Sequence, residues 1–165
     1  MAVNNAGSGG EARPTGEYGV ESWQQVINVN LSGVFYCLRF EIPAMLRHGG
    51  GARVNMASIL GTVGFANSPA YVAAKHGVLG LTKAAALEYS KQGLRIDSAG
   101  PGVIGTPLLY RNLDEQTQTD LGGLHAPGRM GTAAEVAVLA ACLCSDEASF
   151  LAGGYYLVDG GYTAQ

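Results

Sequence analysis

The sequence has few cysteines and few charges, and each shortage excludes a class of protein. The cysteines, Cys37, Cys142 and Cys144, are odd in number and form no CxxC pair, so we expect neither a disulfide framework nor a metal site. Each lies in an apolar helical stretch and is expected to be buried. Charged residues are 14% of the chain, and the net charge of −3 comes without a basic block, which argues against nucleic acid and anionic membranes as partners.

The chain also lacks a long apolar run and a targeting segment. No stretch could span a bilayer, and the first ten residues, MAVNNAGSGG, have neither the basic nor the apolar region of a signal peptide. We therefore expect no membrane partner and a cytoplasmic location. With 165 residues, 47% of them hydrophobic, the chain has the material for one domain core, residues 1–165.

What is present is an alternation of short and long apolar segments. Strands are predicted at 2–4, 52–58, 94–99 and 155–158. Helices are predicted at 21–48, from 69 to about 93, and at 133–144. Residues 107–131 are predicted to form a polar loop in which His125 is solvated. This order predicts a Rossmann-like α/β fold, a parallel sheet of about four strands covered by helices.

Polar and small residues follow the ends of the predicted strands. Asn5-Ala6-Gly7, Ser58 and Pro101-Gly102 should meet at one rim, because ligands bind beyond the carboxyl ends of parallel strands. Tyr71 and Lys75 lie four residues apart and share one helix face. We expect the ammonium to lower the pKa of the phenol below its usual ~10, which makes the phenol a usable proton donor and acceptor.

Two further polar side chains extend this site. The Ser58 hydroxyl is expected to hydrogen-bond the substrate oxygen that Tyr71 also contacts. Asn30 stands inside an apolar helical stretch, where a buried amide needs partners. We expect it to hold a water that leads to Lys75 and relays protons.

These motifs resemble the short-chain dehydrogenase/reductase family over residues 4–162. Asn4-Asn5-Ala6-Gly7 resembles the NNAG that follows the family's fourth strand. Asn30, in INVNLSGVF, matches its helix asparagine, and Ser58, Tyr71 and Lys75 match its catalytic serine, tyrosine and lysine. The stretch PGVIGTP resembles the segment that cradles nicotinamide, and GRMGTAAEVA and LVDGGYTAQ resemble the closing helix and tail.

The resemblance implies roles for these residues. Tyr71 would be the acid and base in an alcohol–carbonyl interconversion of a small molecule, Lys75 would lower its pKa and bind the nicotinamide ribose, Ser58 would orient the substrate, and Asn30 would complete the relay. NAD or NADP would contact Asn5, Ala6, Gly7, Lys75, Pro101, Gly102, Ile104 and Thr106. Of these, Thr106 and the backbone of Ile104 would face the carboxamide.

The chain also departs from the family pattern. Asp97 and Gly100 stand where the family usually has asparagine and serine. No TGxxxGIG turn occurs anywhere in the sequence, although those glycines let the backbone approach the cofactor pyrophosphate. The resemblance therefore implies an N-terminally truncated, incomplete catalytic domain with weak or absent NAD(P) binding. We expect strand 2–4 to be an open edge, apolar faces to be uncovered, and a homo-oligomer, a dimer or tetramer, to form.

Three functions remain open at this point. The first is the oxidoreductase. The second is a cofactor-independent esterase or lipase-like hydrolase, in which a Tyr71 phenolate held by Lys75 takes the proton from Ser58 and the serine attacks an ester. The sequence has neither GxSxG nor Ser-x-x-Lys, so known hydrolase motifs are absent. The third is an inactive fragment. The substrate and the choice between NAD and NADP stay open.

Overall fold

The computed structural model describes residues 1–164, apart from the side chains of Leu108 and Asn112. Gln165, the last residue of the tail motif, lies outside that range. The strands are β1 (Ala2–Asn4), β2 (Gly51–Met56), β3 (Leu94–Pro101), β4 (Ile104–Gly105), β5 (Gly131–Thr132) and β6 (Tyr155–Val158). Four of them form one parallel sheet in the order β1-β2-β3-β6, and β4 and β5 form a separate parallel pair. The predicted four-stranded Rossmann-like sheet is confirmed.

Within residues 1–164, six α-helices connect and cover the strands. They are α1 (Val20–Ile27), α2 (Gly33–Arg47), α3 (Pro69–Tyr89), α4 (Pro107–Asn112), α5 (Glu115–Gly123) and α6 (Ala133–Cys144). A π-helical turn, Asn28–Ser32, joins α1 to α2, so residues predicted as one helix do form a continuous helical run. The wider turn lies where the buried side-chain amide of Asn30 donates to the Val26 carbonyl. In a regular α-helix that carbonyl would accept from the backbone N–H of Asn30.

Helices lie on both faces of the sheet. Helices α2 and α3 cover one face, around a core that includes Leu38, Val78 and Ile96. Helix α6 covers the other face, where Leu143 packs on Val54. Because β2 and β3 are covered on both sides, they consist of nearly continuous buried residues, as expected for the centre of a parallel sheet.

Several sequence expectations are wrong in detail. The loop predicted at 107–131 contains α4 and α5, and the Asp114 carboxylate caps α5 by accepting from the Thr117 N–H at 2.7 Å. A nine-residue helix rich in glycine and threonine has little apolar periodicity, so this local cap is its main signal. Strand β2 ends at Met56, so Ser58 lies two residues beyond it.

The cysteines are not core residues. Cys37 and Cys142 are exposed, and Cys144 is half-buried. Their helices are apolar on more than the face that packs on the sheet, which is why apolar surroundings in the sequence did not mean burial.

The edge expected at β1 is present. Among the described residues β1 pairs with β2 alone, and 45% of Val3 is exposed. On α6, Val138 is 71% exposed, in keeping with the uncovered apolar faces that were predicted. Within residues 1–164, none of the helices has the length and apolar character needed to cross a bilayer.

Candidate active site

The carboxyl ends of β1, β2 and β3 border one cleft of about 540 Å³. The parallel register places Asn4 beside Asn55 and Met56 beside Ala99, so the segments after the three strands emerge together. Eight of the residues singled out in the sequence line this cleft: Asn5, Gly7, Ser58, Tyr71, Lys75, Pro101, Gly102 and Thr106. The expected meeting of these segments at one rim is therefore what the structure has.

Tyr71 and Lys75 extend from the first turns of α3. The Lys75 Nζ lies 5.3 Å from the centroid of the Tyr71 ring, within the range of a cation–π contact. Lys75 is only 4% exposed, and its ammonium donates to the Met56 carbonyl at 2.8 Å. The end of β2 thus holds the lysine beside the phenol. Burial lowers the pKa of Lys75 to about 8.

The pKa of Tyr71 moves in the direction opposite to the one expected. Burial raises the pKa of the phenol above its ordinary value, and a hydrogen bond with the Ser58 side chain opposes that rise only in part. Desolvation of the phenolate therefore outweighs its stabilisation by neighbours. The predicted lowering is wrong for this chain, because the helix spacing that pairs Tyr71 with Lys75 does not reveal how deeply the phenol is buried.

Ser58 is held by its own backbone neighbours and by a distant side chain. Its Oγ accepts from the Leu60 N–H at 3.2 Å, which leaves the hydroxyl proton free to be donated. Its carbonyl oxygen accepts from the Gly61 N–H at 2.9 Å and from the Tyr155 hydroxyl at 2.7 Å. Sequence reasoning missed Tyr155, which lies 97 residues further along the chain.

Asn30 is fully buried behind the cleft. Its amide nitrogen donates to the Ser8 carbonyl at 2.8 Å, and its Oδ1 accepts from the Ser8 N–H at 3.2 Å. A Cβ at Gly7 would lie 2.9 Å from that Oδ1, so the glycine of the NNAG motif leaves room for the two hydrogen bonds between Asn30 and Ser8. Lys75 is bonded to Met56 instead, and the water relay from Asn30 to Lys75 stays a prediction.

One wall of the cleft has the features of a cradle for a polar ring and a sugar. Ser8 lines it, and the Ser8 Oγ is buried without a hydrogen-bond partner among the described residues. Of the other predicted cofactor contacts, Ile104 lies in β4 and lines an adjoining cleft of about 550 Å³, and Ala6 is exposed. The small residues, the unpartnered hydroxyl and the Lys75 ammonium fit a nicotinamide riboside.

The opposite wall opens into an apolar pocket of about 270 Å³ that shares Ser58 and Tyr71 with the cleft. Its other lining side chains are mainly apolar and come from four segments: Leu60, Phe65, Val103, Leu109, Leu121, Leu124 and Tyr162. Of these, Leu109, Leu121 and Leu124 lie in the stretch 107–131, which was predicted to be a polar loop. Phe65 and Tyr162 lie in short irregular segments, where no periodic pattern shows which side chains point inward.

His125 is buried rather than solvated, with 4% of its surface exposed. Its Nε2 accepts from the Val103 N–H at 3.1 Å, so its Nδ1 carries the proton that is donated to the Leu121 carbonyl at 3.0 Å. The imidazole therefore joins α5 to the turn after β3. The expectation of a solvated loop histidine was wrong because it assumed an unstructured loop.

Known proteins are similar to this chain in sequence and in fold. A family model described as enoyl-(acyl carrier protein) reductase matches residues 1–163. Cyclohexanol dehydrogenase of Acinetobacter sp. strain SE19 is 52% identical over 100% of this chain and 64% of its own length. Cis-4-hydroxycyclohexanecarboxylate dehydrogenase of Sinomonas cyclohexanicum is 42% identical over 99% of this chain and 66% of its own length.

A solved structure has the same fold as this chain. ElxO with NADP bound superposes with a TM-score of 0.93 at 33% identity, over 99% of this chain and 66% of that one. The chain thus spans just under two thirds of the length of these proteins.

Proposed function

The chain belongs to the short-chain dehydrogenase/reductase family, and we propose that it carries the catalytic half of an NAD(P)-dependent oxidoreductase that interconverts an alicyclic secondary alcohol and its ketone. The observation that carries this proposal is the shared position of Ser58 and Tyr71, which line both a cleft that contains polar side chains and an apolar pocket. A hydroxyl and a phenol thus stand where a polar cofactor and an apolar substrate would meet.

The substrate class follows from the apolar pocket. Its polar end is formed by Ser58 and Tyr71, and its wall by leucine, valine and aromatic side chains. A carbocycle with one oxygen substituent matches that division. The names of two relatives support this class, since one acts on cyclohexanol and the other on a hydroxycyclohexanecarboxylate.

Each protein group then has a defined part in the reaction. In oxidation, the Tyr71 oxygen takes the proton of the substrate hydroxyl, and the hydrogen on the carbinol carbon departs with its electron pair. A nicotinamide held in the cleft would supply the acceptor for that hydride in oxidation and its donor in reduction. The Ser58 hydroxyl donates to the substrate oxygen, because its Oγ already accepts from Leu60. The Lys75 ammonium stabilises the phenolate as it forms.

Burial has a consequence for the direction of the reaction. Because the pKa of Tyr71 is raised, the phenol is protonated at neutral pH and ready to donate to a carbonyl. Reduction needs no prior ionisation, whereas oxidation needs the phenolate. The rate of oxidation should therefore increase as the pH rises toward about 8, where Lys75 begins to lose its proton, and the rate of reduction should not.

The residues of the cleft could bind only the nicotinamide riboside part of a dinucleotide. Asn5, Gly7, Thr106 and Lys75 would hold the nicotinamide riboside, and Ser8 has a free hydroxyl beside them. No TGxxxGIG turn is present for the pyrophosphate. On this proposal the 165 residues form one incomplete catalytic domain, and this chain by itself binds NAD(P) weakly.

A second copy of the chain is the proposed partner. Helix α2 exposes Phe35, Tyr36 and Phe40, and a crevice of about 230 Å³ lies beside them between α2 and α3. Aromatic side chains at the centre of an exposed face are typical of protein interfaces. Sedimentation analysis should find a dimer or tetramer that Phe40→Glu weakens; a monomer at all concentrations would contradict this.

Two assays on the wild-type chain separate the candidate activities. We expect cyclohexanol oxidation with NAD⁺ or NADP⁺, reduced by at least about a hundredfold in Tyr71→Phe and unchanged in the control Tyr156→Phe, which lies outside the cleft and the pocket. A p-nitrophenyl ester is assayed in parallel without nucleotide. Ester turnover that disappears in Ser58→Ala, together with no alcohol oxidation, would favour the hydrolase. Neither activity would favour an inactive fragment.

A further inference from the structure

Ser58 lies where the sheet no longer holds the backbone. Strand β2 ends at Met56, and the Ala57 N–H makes a bond to the Ala99 carbonyl at 2.8 Å. Beyond it, the Ser58 carbonyl accepts from Gly61 within its own turn and from the hydroxyl of Tyr155 on β6. Of these two bonds, only the one from Tyr155 ties the serine to another part of the molecule.

The Tyr155 side chain extends across strand β3 to reach Ser58. Strand β3 lies between β6 and β2, and Tyr155 pairs with Ser98. The ring leans along the strand direction, over Gly100, on the face of the sheet that α3 covers. It reaches the Ser58 carbonyl at 2.7 Å.

Gly100 leaves the space for that ring. A Cβ at position 100 would lie 2.4 Å from the Tyr155 Cε2 and Oη, and 2.5 Å from its Cζ. No side chain fits there while Tyr155 keeps this position. The departure from the family's usual serine at Gly100 thus has a physical reason, which is the passage of the ring.

Tyr155 is also suited to be a hydrogen-bond donor. Burial raises the pKa of its phenol, so the hydroxyl stays protonated at neutral pH. Its neighbour Tyr156 points to the other face of β6, beside Leu143, and has no hydrogen bond from its hydroxyl among the described contacts. The two tyrosines therefore share a strand and a residue type but not the contact to Ser58.

We propose that Tyr155 is a positioning residue for Ser58, and that Gly100 is the glycine that admits it. The inference rests on the proposed function, in which the Ser58 hydroxyl holds the substrate oxygen. Tyr155 fixes the Ser58 peptide from the β6 side, and so sets the distance between the Ser58 and Tyr71 hydroxyls.

The test measures the position of Ser58 without requiring activity. Amide hydrogen exchange at Leu60 and Gly61 is followed by NMR in the wild-type chain, Tyr155→Phe and the matched control Tyr156→Phe. Both variants remove one hydroxyl and keep the ring. We expect exchange at these amides to be about five- to tenfold faster in Tyr155→Phe, since one net hydrogen bond is lost, and unchanged in Tyr156→Phe. Equal exchange in the two variants would overturn the proposal.

Gly100→Ala gives an independent variant, since its methyl group displaces the ring while the Tyr155 hydroxyl remains. It should accelerate exchange at the same amides. Protection equal to that of the wild type, with the variant folded by circular dichroism, would contradict the assignment of Gly100.

Steady-state kinetics separates this inference from the proposed function. If the wild type oxidises cyclohexanol, Tyr155→Phe should lower kcat about tenfold and change KM by less than about twofold, because a displaced Ser58 affects the transition state more than ground-state binding. Loss of kcat equal in Tyr155→Phe and Tyr156→Phe would count against it. A wild type without dehydrogenase activity would instead contradict the proposed function, and the exchange experiment would still decide the role of Tyr155.

Discussion

The two walls of the catalytic cleft differ in how completely this chain builds them. The substrate wall is a pocket of about 270 Å³, bordered by α4, α5 and the C-terminal tail. His125 ties α5 to the turn after β3, and Tyr155 ties β6 to Ser58. The cofactor wall borders the cleft of about 540 Å³ and an adjoining cleft of about 550 Å³ next to β1, whose outer edge is unpaired in the described residues.

This difference separates the parts of the proposed function. On the proposed function, the groups that would move a proton and recognise the substrate are held by contacts within the chain, so their properties should be measurable on it directly. The groups that would bind the dinucleotide beyond the nicotinamide riboside are not among its motifs. Substitutions on the substrate wall should therefore have large and local effects, whereas changes to the adenine half of the cofactor should have small ones.

The largest effect is expected at Lys75, which lines the cleft beside Tyr71. Lys75→Met should reduce cyclohexanol oxidation at least about a hundredfold, because the charge that stabilises the phenolate is lost. The same variant should be more stable at pH 7 by about 1–2 kcal/mol. That figure is the burial cost of the charge, on the order of 3 kcal/mol, less the bond to Met56.

The pKa shift of Lys75 also sets how the stability difference between Lys75→Met and the wild type changes with pH. The pKa of Lys75 is about 8 in the folded chain and 10.5 ordinarily, so the unfolded chain binds more protons between those values. Wild-type stability should therefore rise relative to Lys75→Met as the pH increases from 8 to 10.5. Urea unfolding measures it, with the exposed Lys83→Met on the same helix as control. A variant less stable than the wild type at pH 7 would contradict the account.

A smaller effect is expected in the substrate pocket. Leu121→Ala removes apolar surface from the wall, so kcat/KM for cyclohexanol should fall about tenfold, which corresponds to roughly 1.4 kcal/mol of lost contact. The loss should be smaller for an acyclic alcohol of fewer carbons that does not reach this wall. Leu87→Ala, at a position 85% exposed, is the control. Equal losses for both alcohols would indicate a general disturbance of α5.

Asp97 should have a modest effect on stability. Its carboxylate accepts from the Gly154 N–H at 2.9 Å, next to Tyr155, but its other oxygen is buried without a hydrogen bond. Burial raises the pKa of Asp97, so the folded chain binds the proton more tightly and stability falls as the pH rises from 3.8 to the raised pKa.

Asp97→Asn keeps the acceptor for Gly154 and removes the charge. It should stabilise the chain at pH 7 and flatten that pH dependence, because the buried charge is removed. Thermal unfolding across pH, with the exposed Asp120→Asn as control, measures both. An unchanged pH profile in Asp97→Asn would show that the carboxylate does not carry it.

The smallest effect is expected on binding affinity when the adenine half of the cofactor is removed. Reduced nicotinamide mononucleotide should bind with an affinity within about threefold of that of NADH, because the adenine half finds few contacts. Fluorescence titration of both compares them under one condition. Binding of NADH more than a hundredfold tighter would mean that the cofactor wall is more complete than its motifs indicate.

The sequence predicted those parts of the molecule that depend on local patterns. Apolar runs separated by turns predicted the four strands, and the spacing of Tyr71 and Lys75 predicted their contact. The capping box that Thr132 and Glu135 form at the start of α6 is a local pattern of the same kind. Long-range contacts were not predictable, because nothing local relates Tyr155 to Ser58.

Burial was the other property that local patterns did not give. The helical spacing predicted a lowered pKa for Tyr71, but its direction depends on atoms from several segments around the phenol. His125 was expected in solvent because the residues around it looked like a polar loop. Both errors have one cause, since a linear pattern shows which residues are neighbours on one element and not what covers them.

Transfer of deuterium tests the central claim most directly. Cyclohexanol deuterated at its carbinol carbon is incubated with the chain and with NAD⁺ or NADP⁺ raised until the rate no longer increases, and the reduced nicotinamide is analysed by mass spectrometry. The account predicts deuterium in the nicotinamide with the wild type and none above background with Tyr71→Phe. Transfer that is equal in both, or absent from a folded wild type at saturating nucleotide, would contradict it.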